Sequence, residues 1–158
     1  MGDLEQRLRH VEDELEIGQL RARYCHLLDD RRWEEFVELF TEDGVFAGLE
    51  AVTGRAALLD FFGVRFPKTT EQFWHFCTNG TVALDGDTAT GRISLEYLSV
   101  AGGVSYASAG HYDDVLVRQN GRWRFRSRAI TFYYLSPVSE GWTGGRVPPR
   151  LGSAASPS

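Results

Sequence analysis

"GHYDDVLVRQNGRWRFRSRAITFYYLSP", residues 110–137, consists of two runs rich in β-branched and aromatic residues, joined at Asn120 and Gly121. An Asn-Gly pair between two such runs is typical of a β-hairpin turn. Two further turn signatures, LDGDT and SVAGGVS, lie upstream. The pattern predicts four strands joined as an antiparallel meander, near residues 73–84, 87–99, 103–118 and 122–134.

The first third of the chain is predicted to be helical. Apolar residues recur at spacings of two to four between residues 4 and 28, which builds a stripe along one or two helices, with Gly18 as a candidate break. A new helix is expected in DDRRWEEFVELF, because Asp29 or Asp30 can cap its N-terminus and its apolar residues form one face. A third helix opens at Thr53, after a short strand in VFAGL.

Helices followed by a long antiparallel meander indicate an α+β fold. We expect a cone-shaped α+β barrel, with about three N-terminal helices packed on a strongly curved, mostly antiparallel sheet, and an interior with room for a small molecule. This single domain is predicted to span residues 1–137. Residues 138–158 lose periodicity and gain Gly, Pro and Ser, so this tail is expected to be partly disordered, although Trp142 should dock on something.

Composition narrows the classes of partner. The formal net charge of −5 and the absence of clustered Lys and Arg argue against nucleic acid. No apolar run approaches the ~20 residues that cross a bilayer, and the N-terminus is charged, so we expect a cytoplasmic protein with no membrane partner. Two cysteines are too few for a disulfide scaffold, and both are predicted to be small buried side chains. No metal-ligand spacing occurs, so no metal is expected.

Almost the whole chain resembles the SnoaL-like, nuclear-transport-factor-2-like superfamily. The resemblance runs from LEIGQLRARYCHLLDDRRWEEFVELFTEDGVF through GRAALLDFF and HFCTN to residues 110–137. Within the superfamily, the chain is most similar to the branch that holds scytalone dehydratase, bile-acid 7α-dehydratase and hexachlorocyclohexane dehydrochlorinase. Fold alone does not decide function, but a positioned acid–base pair in a dry pocket suffices for dehydration or double-bond migration, so no cofactor is required.

The enzymes of this branch pair an Asp near the end of the first helical segment with a His on the first long strand. The matching positions are Asp29 and His75. The dehydrochlorinase has a lysine five residues before its Asp, whereas this chain has Tyr24, as the bile-acid enzyme has. The resemblance therefore implies phenol-assisted elimination or isomerisation rather than dehalogenation.

Each residue of this dyad also has a structural interpretation. His75 shares a strand face with Phe73, Cys77 and Asn79, so it is either a hydrogen-bonded core histidine or a base. Asp29 is either a helix cap or the group that accepts the His75 Nδ1 proton and leaves Nε2 free. Asp30 can take over capping, which leaves Asp29 available for the dyad.

Other polar residues are candidates for substrate contact. Tyr24 is either a polarising phenol or a core aromatic. His111 is either a second proton donor in the pocket or part of a cross-strand hydrogen bond, and Tyr106 lies on the opposite strand face. Arg128 belongs to an alternating Arg run that reads as a solvated face, yet it is the arginine we would test as an anion or carbonyl contact. Asn79 completes the set as a predicted inward side chain.

The sequence therefore predicts a cofactor-independent lyase or isomerase of dehydratase or cyclase type. Its substrate is expected to be a small apolar oxygenated molecule, such as a polyketide, terpenoid or steroid-like metabolite, and His75 with Asp29 supplies general acid and base catalysis. The alternative is a binding or assembly module of the same fold. Long aromatic strands left bare are a liability, so a homo-oligomer is expected, a dimer or trimer by resemblance.

Overall fold

The computed structural model describes residues 2–48 and 50–142. Three helices precede and interrupt the sheet: α1 (Asp3–Asp29), α2 (Trp33–Val37) and α3 (Arg55–Asp60). α3 continues into a π-helical turn, Phe61–Arg65, and a 3-10 turn, Phe66–Lys68. Among these residues, no helix combines the length and apolar character that a bilayer span requires.

In the described part of the chain, six strands form one sheet, in the order β2-β1-β6-β5-β4-β3. Neighbouring strands are antiparallel except for β1 and β6, which run parallel. The predicted fold class is confirmed, since helices cover one face of a curved, mostly antiparallel sheet. The strands are β1 (Phe40–Ala47), β2 (Ala51–Thr53), β3 (Gln72–Asp85), β4 (Thr88–Ala101), β5 (Val104–Gln119) and β6 (Arg122–Pro137).

The N-terminal helix differs from its prediction in two ways. It runs without a break through Gly18, where an added Cβ would meet open space. It packs on the sheet only from Asp13 onward, through Ile17, Leu20 and Tyr24 among others. The first four residues of the apolar stripe are exposed instead: Leu4, Leu8, Val11 and Leu15.

The expected aspartate cap of the second helix is absent. α1 extends to Asp29, Arg31 then adopts a positive φ of 59° that reverses the chain, and Arg32 occupies the N-cap position of α2 without a side-chain cap. α2 is also shorter than predicted, because Phe40 already belongs to β1. Neither Asp29 nor Asp30 therefore caps α2, and Asp29 is free for another contact.

The inner face of the sheet and the helices enclose an aromatic core. Tyr24 lies at its centre, with ring centroids 5.0 Å from Phe36, 5.6 Å from Tyr112 and 5.7 Å from Phe125. Tyr24 is therefore fully buried among other aromatic rings. Trp142 docks on Tyr134 as a stacked ring, and the rest of the predicted disordered tail, residues 143–158, lies outside the described residues.

Candidate active site

Asp29 and His75 meet where α1 ends beside the edge strand β3. The Asp29 carboxylate accepts two hydrogen bonds from one residue: its Oδ2 lies 3.0 Å from the His75 backbone N, and its Oδ1 lies 2.6 Å from His75 Nδ1. Backbone and ring are thus held by the same side chain. A carboxylate only accepts, so Nδ1 carries the proton and Nε2 has the lone pair.

The surroundings of this dyad are mostly apolar. The His75 ring lies 4.8 Å from Tyr97 and 5.9 Å from Phe73, measured between centroids. The side chains of His75 and Asp29 retain 6% and 17% of their exposure. Among the described residues, Nε2 makes no hydrogen bond, so it is available to a molecule that reaches the ring.

Arg128 is the unexpected member of the site. The alternating run predicted a solvated face opposite Phe125, but a bulge at Arg126 puts one extra residue into β6, and both Phe125 and Arg128 then face inward. Arg128 is fully buried, and its guanidinium carbon lies 4.2 to 4.3 Å from the ring centroids of Tyr24, Tyr112 and Phe125. The structure therefore places this cation in the core.

A buried carboxylate partly balances the charge of Arg128. Asp114 accepts a bidentate pair from it, at 2.7 and 2.9 Å, and also accepts from Arg21 Nε at 2.9 Å. Arg21 in turn donates to the Thr81 carbonyl. Sequence reasoning missed Asp114 and Arg21. The available signal was a carboxylate at an inward position between Tyr112 and Leu116, because buried carboxylates need cationic partners.

Two arginines share one carboxylate, so this cluster keeps a net positive charge in the core. Within residues 2–48 and 50–142, two buried side-chain atoms lack a partner in hydrogen-bonding geometry, the Tyr24 hydroxyl oxygen and Arg128 Nη1. Burial raises the pKa of Tyr24 although Arg128 opposes the shift, so the phenol stays protonated. Both groups are donors and suit an oxygen that gains negative charge.

His111 lies on the other face of the sheet, so its predicted role in the pocket is wrong. It alternates with the buried Tyr112 and faces outward, where Nδ1 lies 2.9 Å from the Tyr133 hydroxyl and Nε2 lies 3.2 Å from Asp113. The cross-strand alternative is the one observed, because Tyr133 belongs to β6. Both ring nitrogens of His111 are occupied.

Tyr106 and Asn79 also occupy different environments. The strand register aligns Tyr106 with Ser99 and Phe73, on the inner face and one pleat beyond the dyad, where it is half-buried. Asn79 was predicted to face inward, but it sits in a bulge of β3 with a positive φ of 55° and is exposed. The bulge interrupts the alternation that the prediction relied on.

A groove of ≈ 810 Å³ runs along the seam between α1 and β3. Its volume falls in the range of small-molecule sites. Its lining includes both polar and sulfur-bearing side chains from the two elements: Arg21, Cys25 and His26 from α1, and His75, Cys77 and Asn79 from β3. No cluster of metal-ligating side chains occurs in the described part of the chain.

Helices packed on one face of a curved, mostly antiparallel sheet define a class of small α+β domains. The chain belongs to the SnoaL-like domain family, whose model matches residues 9–129. An uncharacterised protein of Mycobacterium tuberculosis is 29% identical over 127 residues, which cover 77% of this chain and 86% of the relative.

Two solved structures share the fold at lower sequence identity. The hexachlorocyclohexane dehydrochlorinase of Novosphingobium barchaimii is 19% identical, with a TM-score of 0.79 over 84% of this chain and 94% of that chain. A protein of Novosphingobium aromaticivorans, provisionally named a scytalone dehydratase, is also 19% identical, with a TM-score of 0.75 over 92% and 97%. At these identities the likeness shows the fold.

Proposed function

We propose that the protein is a cofactor-independent lyase or isomerase that acts on a small apolar oxygenated molecule through His75 and Asp29. The observation that carries the proposal is the double hydrogen bond from His75 to Asp29. It fixes the ring tautomer and orientation and leaves Nε2 as the base. A histidine needed only for packing would gain nothing from a carboxylate on its Nδ1 that leaves Nε2 unpartnered.

In the proposed reaction, Nε2 removes a proton from a carbon next to a carbonyl or carbinol group. Asp29 stabilises the imidazolium that forms. Tyr24 and Arg128 are proposed to donate to the substrate oxygen, either a carbonyl that becomes an enolate or a hydroxyl that departs as water. Both are fully buried and neither lines the groove, so this role requires the substrate to open the aromatic packing around them. General acid and base groups contribute roughly 10²–10⁴-fold each, which suits dehydration, double-bond migration or cyclisation.

The proton-transfer step can be measured before the natural substrate is known. The purified protein is incubated in D₂O with a panel of cyclic ketones and β-hydroxyketones, and exchange at the α-carbon is followed by NMR. We expect exchange with the native protein and a loss of roughly 10²–10⁴-fold in both Asp29→Asn and His75→Ala. The double variant should be little worse than either single variant, because the two residues act as one unit.

Controls separate catalysis from folding and from binding. His111→Ala removes a histidine from the outer face and should exchange at the native rate. Ligand affinity and the melting temperature are measured on the same variants, and Asp29→Asn should retain most of both, since the amide is isosteric. An Asp29→Asn variant with native exchange would end the dyad proposal.

A binding or assembly module remains the second candidate. It is favoured by the burial of Tyr24 and Arg128, because a ligand in the groove as it stands would contact neither donor. If the protein only binds, His75→Ala should change ligand affinity while no member of the panel exchanges its α-protons.

A further inference from the structure

The two cysteines face each other across the seam between α1 and β3. Cys25 Sγ lies 3.5 Å from Cys77 Sγ, although 52 positions separate the residues in sequence. Both are free thiols, and they are the chain's only cysteines. A disulfide needs about 2.05 Å between sulfurs, so a displacement on the order of 1.5 Å would join them.

The pair has unequal access and unequal acidity. Both side chains line the groove, but Cys77 is half-buried whereas Cys25 is buried. The Cys25 thiol donates a hydrogen bond to the Cys77 sulfur, which lowers the pKa of Cys77 and raises that of Cys25. The more accessible sulfur is therefore also the better thiolate, as expected of an attacking cysteine beside a resolving one.

We propose that Cys25 and Cys77 form an oxidisable dithiol, whose disulfide, made at the expense of a hydroperoxide, covalently joins α1 to β3. The Cys77 thiolate attacks one peroxide oxygen, the O–O bond breaks, and the other oxygen leaves as water or an alcohol. Cys25 then attacks the sulfenic acid on Cys77, and its thiol proton leaves with the hydroxyl group as water. The two thiols lose two electrons in total, and the peroxide gains them.

The bond would lie next to the candidate active site. Cys25 is one helical turn before Asp29 in α1, and Cys77 follows His75 on the same face of β3. A covalent link between these positions fixes the two elements that carry the dyad. The modification site stands on the thiol geometry alone and does not require the proposed function.

The test treats the reduced full-length protein with hydrogen peroxide and follows intact mass, free thiols and the melting temperature. We expect a monomer that has lost two hydrogen atoms, no remaining free thiol, and full reversal by dithiothreitol. Because the bond closes a loop of about 50 residues, the oxidised protein should melt roughly 5–10 °C higher than the reduced one.

Two matched variants test the order of attack. Cys25→Ser should stop at the Cys77 sulfenic acid, which dimedone traps, whereas Cys77→Ser should react far more slowly because Cys25 is buried. Circular dichroism of both variants in the reduced state checks that they fold. Native protein that gains oxygen without losing its free thiols, or that forms covalent dimers, would overturn the proposal.

Discussion

Two His–Asp pairs lie on opposite faces of the same sheet, and they differ in what surrounds them. His75 faces inward and bonds Asp29 through Nδ1, with Nε2 unpartnered among the described residues. His111 faces outward, with Tyr133 on one nitrogen and Asp113 on the other. A histidine can act as a base only if one nitrogen stays free, so the same residue pair reads as a candidate site on one face and as a surface link on the other.

The carboxylates of Asp113 and Asp29 differ in whether an arginine also binds them. Asp113 is half-exposed and accepts a bidentate pair from Arg92, at 2.7 and 3.1 Å, which together with His111 lowers the pKa of Asp113. Asp29 has no Arg or Lys within salt-bridge distance in the described part of the chain, so its charge is directed to His75. An arginine that competes for the carboxylate weakens the hold on an imidazolium.

The largest expected effect is a loss of stability on substitution of Asp114, compared with its neighbour Asp113. Each accepts a bidentate arginine, but Asp114 and Arg128 are both fully buried. Asp114→Asn should lower the free energy of unfolding by about 3–5 kcal/mol, since it leaves buried arginines uncompensated. Asp113→Asn should cost at most about 1 kcal/mol. Urea denaturation measures both, and equal losses would contradict the contrast between the two faces.

A second contrast compares two tyrosines, Tyr24 inside and Tyr133 outside. If Tyr24 donates to the substrate oxygen, Tyr24→Phe should slow α-proton exchange roughly 10- to 100-fold, less than the dyad variants, because a donor is lost but the base remains. Tyr133→Phe should leave the rate unchanged. A native rate in Tyr24→Phe would assign Tyr24 to the core alone.

The sequence predicted the strands and the dyad better than it predicted which face of the sheet some polar side chains lie on. The four long strands, their order and the approach of Asp29 to His75 followed from turn residues, from alternation and from the family resemblance. The predictions fail or stay open where alternation is interrupted or balanced. Asn79 lies in a bulge and Arg128 follows one, and the face of His111 was left open because both faces of β5 carry polar side chains. Bulges have no reliable short sequence signal, so they must be observed.

Self-association of the protein would cover the outer face of the sheet and leave the inner face unchanged. Trp74, Phe76 and Tyr133 are about half exposed there, and we propose that this face joins subunits. Phe76→Lys should weaken association by about 1–2 kcal/mol, which light scattering detects as a mass that falls toward 17.8 kDa on dilution.

A matched change on the exposed part of α1, Leu8→Lys, tests the other apolar surface. It should leave the assembled mass unchanged if the sheet is the interface. A native protein that is already a monomer at micromolar concentration would contradict the proposed interface.

The smallest expected effect appears at high pH. Burial raises the pKa of Tyr24 above that of an unfolded tyrosine, so the folded state keeps its proton when the unfolded state has lost it. The free energy of unfolding therefore does not depend on this proton below about pH 10. Above that pH it falls, by about 1 kcal/mol per pH unit. Tyr24→Phe should show a shallower decline than Tyr133→Phe when unfolding is measured between about pH 9 and pH 11.

The bulge in β6 determines which face of the sheet the Arg128 side chain lies on. Without the bulge, strict alternation from the inward Phe125 would turn both Arg126 and Arg128 outward. Asp114 would then keep Arg21 alone, whereas deletion of Arg126 would leave Phe125 and Arg128 two residues apart and both inward. The interior charge of this chain therefore depends on the backbone geometry of β6 as well as on the residue at position 128.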